Sequence, residues 1–233
     1  MTLPSLTQLE LLIAEENVAY WHDAAPLYSS LREFLQRCSS QLHTLKLSAG
    51  FYSSDEELLQ ILSTVPTVAH LELRSLQFQG CMSSFFHSLT LSENPRDDVF
   101  LPRLASLRIC IDERKNSSRL LWDSGPNSWV NGFPFPDPVD ILSMVRSRRI
   151  SASERLQQYE IRESLTSFDF EVYLDRKRDD CLVEDWAVVN FGRNAEPGFR
   201  ALAKDGLDLK LRVSSFWSKH HGSEWNLHDH VKY

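Results

Sequence analysis

Leu101-Pro102-Arg103-Leu104-Ala105-Ser106-Leu107-Arg108-Ile109 reads apolar-Pro-x-apolar-x-x-Leu-x-apolar, and two other windows repeat it. They are Leu3-Pro4-Ser5-Leu6-Thr7-Gln8-Leu9-Glu10-Leu11 and Val65-Pro66-Thr67-Val68-Ala69-His70-Leu71-Glu72-Leu73. Leu42-His43-Thr44-Leu45-Lys46-Leu47 keeps the L-x-x-L-x-L core without the proline, and Leu165-Thr166-Ser167-Phe168-Asp169-Phe170 substitutes aromatics. A weaker sixth copy is Leu207-Asp208-Leu209-Lys210-Leu211-Arg212-Val213. In each, the L-x-L portion predicts a short strand, its two apolar residues pointing inward and the intervening one outward. The apolar residue three positions earlier packs where the chain turns into that strand.

Helix-period segments lie between these windows. Leu27, Leu31, Phe34, Leu35 and Cys38 form one apolar stripe. Leu58, Leu59, Leu62 and Val65 form a second, after the acidic start Ser54-Asp55-Glu56-Glu57. Met82, Phe85, Phe86 and Leu89 predict a third helix, and Val139, Leu142, Met144, Val145 and Ile150, led by Pro136-Asp137-Pro138, a fourth. Phe199, Leu202 and Ala203 predict a fifth, with Pro197 near its start and Gly206 as a left-handed cap. Strand alternating with helix, each unit unable to bury its apolar face alone, predicts an α/β fold built as a stacked solenoid.

The windows just quoted resemble leucine-rich repeats of the ribonuclease-inhibitor-like type. More narrowly, the chain is similar to the repeat region of the F-box/leucine-rich-repeat proteins of mushroom-forming (basidiomycete) fungi. Supporting segments are Ser30–Cys38, Ile141–Arg148 and Gly206–Leu211. The resemblance implies a curved parallel sheet with helices on its convex side and irregular repeats. It covers residues 1–213, with an insertion at about 111–137, and leaves 214–233 as a C-terminal tail. Two departures stand out. The usual Asn or Cys after L-x-L is replaced by Ala14, Gly50, Leu76, Asp112 and Tyr173. Spacing is also uneven, with Leu6, Leu42, Val68, Leu104 and Leu165 lying 36, 26, 36 and 61 residues apart, whereas ordinary repeats span roughly 20–29.

Composition narrows the classes of function. The 233 residues are 42% hydrophobic, 24% charged and 11% aromatic, which suits a folded chain. The formal net charge of -7 repels phosphate backbones, so nucleic acid is not an expected partner. No apolar run approaches the roughly 18 residues of a membrane span, and Glu10, Glu15 and Glu16 are out of keeping with a signal peptide. The expected location is therefore cytoplasmic or nuclear, with no membrane partner. Cys38, Cys81, Cys110 and Cys181 form no C-x-x-C pair and read as reduced thiols. Only 8 glycines occur, against roughly 16 at average usage. Phosphate-binding glycine loops, H-E-x-x-H, EF-hand loops and G-x-S-x-G are all missing, so no cofactor or metal is expected.

The outward residues of successive L-x-L windows are Glu10, Lys46, Glu72, Arg108, Asp169 and Lys210, alternating in sign at every step. On neighbouring strands roughly 4.8 Å apart they would line the concave face. Such a row either compensates itself or docks a partner of matching charge. The segment from Asn116 to Pro136 sets Trp122, Trp129, Phe133 and Phe135 among turn formers, which predicts an ordered loop that caps the core or binds a partner. Arg146-Ser147-Arg148-Arg149 reads as a basic helix end facing the macrodipole, and Arg176-Lys177-Arg178 as a solvated loop. His220, His221, His228 and His230 belong to the tail, with Trp217 and Trp225 docking it.

These features point to a non-catalytic protein-interaction module. The resemblance implies the substrate-recognition region of an F-box type ubiquitin-ligase adaptor, partnered by a protein substrate and by the cullin-RING ligase adaptor if an F-box is encoded upstream. No F-box is recognisable within the chain. A stand-alone repeat scaffold without ubiquitin machinery is the second reading. The third, an enzyme using His70, Glu72 and Arg108 on the concave face, rests on generic residue types alone.

Overall fold

The computed structural model describes residues 6–11, 25–38, 41–48, 51–52, 54–74, 82–92, 98–112, 136–149, 163–174, 195–215 and 225–226. In chain order these form β1 (Gln8–Leu11), α1 (Ala25–Cys38), β2 (Thr44–Ser48), α2 (Asp55–Ser63), β3 (His70–Arg74) and α3 (Ser83–Leu89). There follow β4 (Ser106–Asp112), α4 (Pro138–Arg149), β5 (Ser167–Leu174), α5 (Glu196–Lys204), β6 (Asp208–Ser215) and β7 (Trp225–Asn226). The strands make one sheet in the order β1-β2-β3-β4-β5-β6-β7. The first six are parallel, and β7 runs antiparallel to β6. Six parallel strands alternating with helices form an α/β architecture compatible with a solenoid-like arrangement.

The proline windows have a local explanation. Val68 N–H donates to the Val65 carbonyl at 3.2 Å, and Leu104 N–H to the Leu101 carbonyl at 3.2 Å. Each places the proline, Pro66 or Pro102, at the second position of a β-turn, where its fixed φ is already suitable. Beyond the turn, successive strands join by one repeated backbone motif. The Thr7 carbonyl accepts from the N–H groups of His43 and Thr44, the His43 carbonyl from Ala69 and His70, and the Ala69 carbonyl from Ala105 and Ser106. Ala105 does the same for Thr166 and Ser167. Threonine hydroxyls add to this edge, Thr67 Oγ1 donating to the Leu42 carbonyl at 2.8 Å and Thr166 Oγ1 to that of Ala105 at 3.0 Å. Backbone groups where strands start are thus satisfied by the next strand.

Packing follows the two periodicities. Leu45, Leu47, Leu71, Leu73, Leu107, Ile109, Phe168, Phe170, Leu209 and Leu211 point inward and are buried, as are the turn residues Leu42, Val68, Leu104 and Leu165. They form one core cluster with Leu31 and Leu35 of α1, Leu58, Ile61 and Leu62 of α2, Phe85, Phe86 and Leu89 of α3, and Phe199 and Leu202 of α5. Each such side chain contributes about 1.5–3 kcal/mol relative to exposure. Helices adjacent in sequence pack side by side, α1 on α2, α2 on α3, α3 on α4 and α4 on α5. Ser54 caps α2, its Oγ accepting from Glu57 N–H at 3.2 Å, and Asp55, Glu56 and Glu57 occupy the first turn beside the positive helix end.

Helix α4 departs from expectation. Leu142, Met144 and Val145 are buried as expected, together with Ile141 and Arg148, but Val139, also assigned to the apolar stripe, is 50% exposed. Arg148, read as part of a basic helix end facing the macrodipole, is only 4% exposed. Its Nε donates to the Leu89 carbonyl at 2.6 Å, Nη1 to Leu101 at 2.9 Å and Nη2 to Phe100 at 2.5 Å. A guanidinium spreads its donors in a planar fork, so one side chain reaches three carbonyls, one at the end of α3 and two at the turn before β4. Arg149 Nη2 donates to the Asp205 carbonyl at the end of α5.

Of the tail, Trp225 and Asn226 form β7, opposite Val213 and Arg212. Strand β6 runs to Ser215, two residues beyond the expected limit of the repeat region. Residues 113–135 of the insertion, Arg176-Lys177-Arg178 and the four tail histidines lie outside the described residues. Cys38 is buried and Cys110 half-buried, and neither is in a disulfide.

Candidate functional site on the polar face of the sheet

The parallel register sets Glu10 opposite Lys46, Lys46 opposite Glu72, Glu72 opposite Arg108, Arg108 opposite Asp169 and Asp169 opposite Lys210. All six residues expected to form a row do so. Their position follows from the strand period of two, since the flanking leucines and phenylalanines turn inward. One step earlier in register runs a second row of polar residues, Gln8, Thr44, His70, Ser106, Ser167 and Asp208.

Ion pairs link the charged row. Lys46 Nζ lies 3.2 Å from Glu10 Oε2 and 3.8 Å from Glu72 Oε2. Glu72 Oε1 is 2.6 Å from Arg74 Nε and 3.6 Å from Arg108 Nη1. Arg108 then reaches Asp169 Oδ2 at 3.4 Å and Glu171 Oε2 at 3.2 Å. Glu72 therefore meets three cations and Arg108 three carboxylates. Lys210 is exposed, and its charge is felt at Asp169.

Arg74 and Glu171 were not among the expected residues. Each lies two positions after a row member, hence on the same face. The equivalent positions Ser48 and Cys110 are uncharged, so no alternation of sign marks this third row in sequence. It continues through Arg212, opposite Glu171, and Tyr173 follows, its hydroxyl donating to Glu171 Oε2 at 3.3 Å.

The local electrostatics are uneven. Burial raises the pKa of the Asp169 carboxyl, Glu171 raises it further, and Arg108, Lys210 and Arg212 offset this only in part. Asp169 Oδ1 is enclosed without a hydrogen-bond partner among the described residues, consistent with a disfavoured charge. Burial opposes the Arg108 charge, but the Glu171 hydrogen bond and the fields of Asp169, Glu171 and Glu72 outweigh it, so its pKa rises. Burial and Glu171 together raise the Tyr173 hydroxyl.

This arrangement can present a fixed pattern of charge to a macromolecule. His70 and Glu72 share the outward face of β3 and Arg108 stands opposite Glu72, so the three residues of the enzymatic reading are neighbours. Glu72 is already paired with Lys46, Arg74 and Arg108. Among the described residues, no group of three or more His, Cys, Asp or Glu could hold a metal ion, and no helix is long and apolar enough to cross a membrane. Trp122, Trp129, Phe133 and Phe135, expected in a cap or partner-binding loop, lie outside the described residues. A scan against protein-family models found no match, and comparisons with curated proteins and with solved structures found none either.

Proposed function

We propose that the chain is a non-catalytic protein-interaction module that docks a protein partner on the polar face of its sheet. The supporting observation is the register itself: six outward side chains of alternating sign, from six separate strands, align in one row. Pairing between neighbours holds these long side chains in place, so a partner meets a pre-ordered pattern and less side-chain entropy is lost on binding. The finer reading is a leucine-rich-repeat solenoid serving as the substrate-recognition region of an F-box type ubiquitin-ligase adaptor. It rests on the resemblance of the proline-leucine windows and requires an F-box encoded upstream.

Quantitative affinity capture from cells, comparing the wild-type chain with Lys46→Glu and Arg108→Glu, tests the docking surface. Proteins retained by wild type and lost from both variants are expected, with circular dichroism unchanged. Identical retention by all three would refute docking on this face. Probing the same captures for the cullin adaptor, using the chain together with its upstream coding sequence, tests the ligase assignment separately.

A further inference from the structure

The two ends of the sheet are finished differently. At one end β7 pairs with β6, and Leu209 and Leu211 of β6 stay buried at 8% and 1% exposure. At the other, β1 has no outer neighbour among the described residues. Leu6, Leu9 and Leu11 are only half-buried, although the equivalent residues of β2 to β5 are enclosed. The Thr7 carbonyl bonds to β2. By strand alternation Leu9 and Leu11 direct their backbone groups the same way, so Gln8 and Glu10 direct their N–H and C=O groups outward. Both residues are exposed. Such an edge is a template for another strand.

Charge selects what that strand carries. Every internal step of the row sets opposite signs side by side, and Glu72 has cations on both neighbouring strands. Among the described residues, Glu10 pairs with Lys46 alone, on one side. We propose that the outer edge of β1 binds an extended segment of a partner protein with a Lys or Arg between two apolar residues. The segment adds as a strand, its cation opposite Glu10 and its apolar residues covering Leu9 and Leu11. Main-chain hydrogen bonds hold it and the alternating side chains select it. The site is the sheet edge, so the proposal stands independently of docking on the polar face.

The test measures fluorescence anisotropy of the full chain with two labelled peptides. One carries Thr-Leu-Lys-Leu-Ser, the sequence of β2, between Gly-Ser flanks; the other has Glu in place of Lys. The Lys peptide is expected to bind more tightly by up to roughly fivefold, the upper end for a cross-strand charge pair. Glu10→Lys should invert the preference. Gln8→Pro, which removes an outward N–H and leaves the charge intact, should weaken both peptides about tenfold or more. Equal affinity for the two peptides, binding that survives Gln8→Pro, or no binding at millimolar peptide overturns the proposal. Concentration-dependent dimerisation lost in Gln8→Pro, without peptide uptake, overturns it in favour of a second copy. Should Gln8→Pro fail to fold, the Glu10→Lys inversion decides alone.

Discussion

Arg148 Nη1 donates to the Leu101 carbonyl at 2.9 Å, and Leu101 is the described non-glycine residue with a positive φ, 47°. A leucine in that region is strained and persists only where its surroundings over-determine it. Here the buried guanidinium grips the carbonyls on either side of the Phe100–Leu101 bond, and Leu101 is itself buried at the start of the proline turn. Arg148→Met should leave the Leu89 and Phe100 carbonyls without their donor, while that of Leu101 keeps Leu104 N–H, and lower stability by about 2 kcal/mol or more, at roughly 1 or more for each group. Arg148→Lys should recover only part, because an ammonium lacks the planar fork. Urea unfolding measures both; a loss below about 0.5 kcal/mol for Met would show that water replaces the side chain.

Two glycines should respond to alanine for different reasons. Gly206 has φ of 84° after α5, and an added Cβ meets nothing closer than Arg149 Nη2 at 3.8 Å. Gly206→Ala should therefore cost about 1 kcal/mol, from backbone conformation alone. At Gly198 the added carbon would stand 2.5 Å from Leu142 Cδ2 and 2.8 Å from Arg146 Nη2. The Leu142 and Arg146 side chains must then shift, costing about 1–3 kcal/mol. Thermal melts of both variants should rank Gly198→Ala as the more damaging; the reverse order would contradict the close approach of α5 to α4.

Pro66 sits at the second position of its turn with no N–H to lose. Pro66→Ala keeps every native hydrogen bond and enlarges the unfolded ensemble, so stability should fall by about 0.4–1 kcal/mol. The loss should come mainly through chain entropy, with the native secondary-structure spectrum unchanged. A spectral change would mean that the ring also packs.

Asp169 has its pKa raised by burial and by Glu171, against the partial relief of Arg108, Lys210 and Arg212. A carboxyl with a raised folded-state pKa contributes stability below its unfolded value and loses it as pH rises through the folded one. Wild type should therefore lose stability relative to Asp169→Asn between about pH 4 and neutrality. Unfolding free energies of both proteins across this range check the sign. An advantage of wild type that grows with pH would show that Arg108 dominates the site.

Much of this architecture was legible in sequence because its signals are local. Period-two alternation around Leu45-Lys46-Leu47 or Leu71-Glu72-Leu73 places two side chains inward and one outward wherever the strand sits. The proline marks the turn before it for an equally local reason, its fixed φ. Equivalent windows also had equivalent neighbours, so the charged row could be written down strand by strand, and the observed register pairs those same residues. In α4 the reading found Leu142, Met144 and Val145 but wrongly included Val139, and it missed Arg148, which fills a position that hydrophobicity assigns to an apolar residue. No composition rule marks an arginine that will find three carbonyls from segments 47 to 59 residues away.

From the amino acids alone came the alternation of strand and helix, the face each strand buries and the sign of each outward charge, since these depend on neighbours a few positions apart. Which carboxylates surround Arg108, why Asp169 resists ionisation, where β7 closes the sheet and why Arg148 is buried were decided by tertiary structure. Those properties arise from distances and desolvation between groups remote in sequence, which exist only once the strands lie side by side.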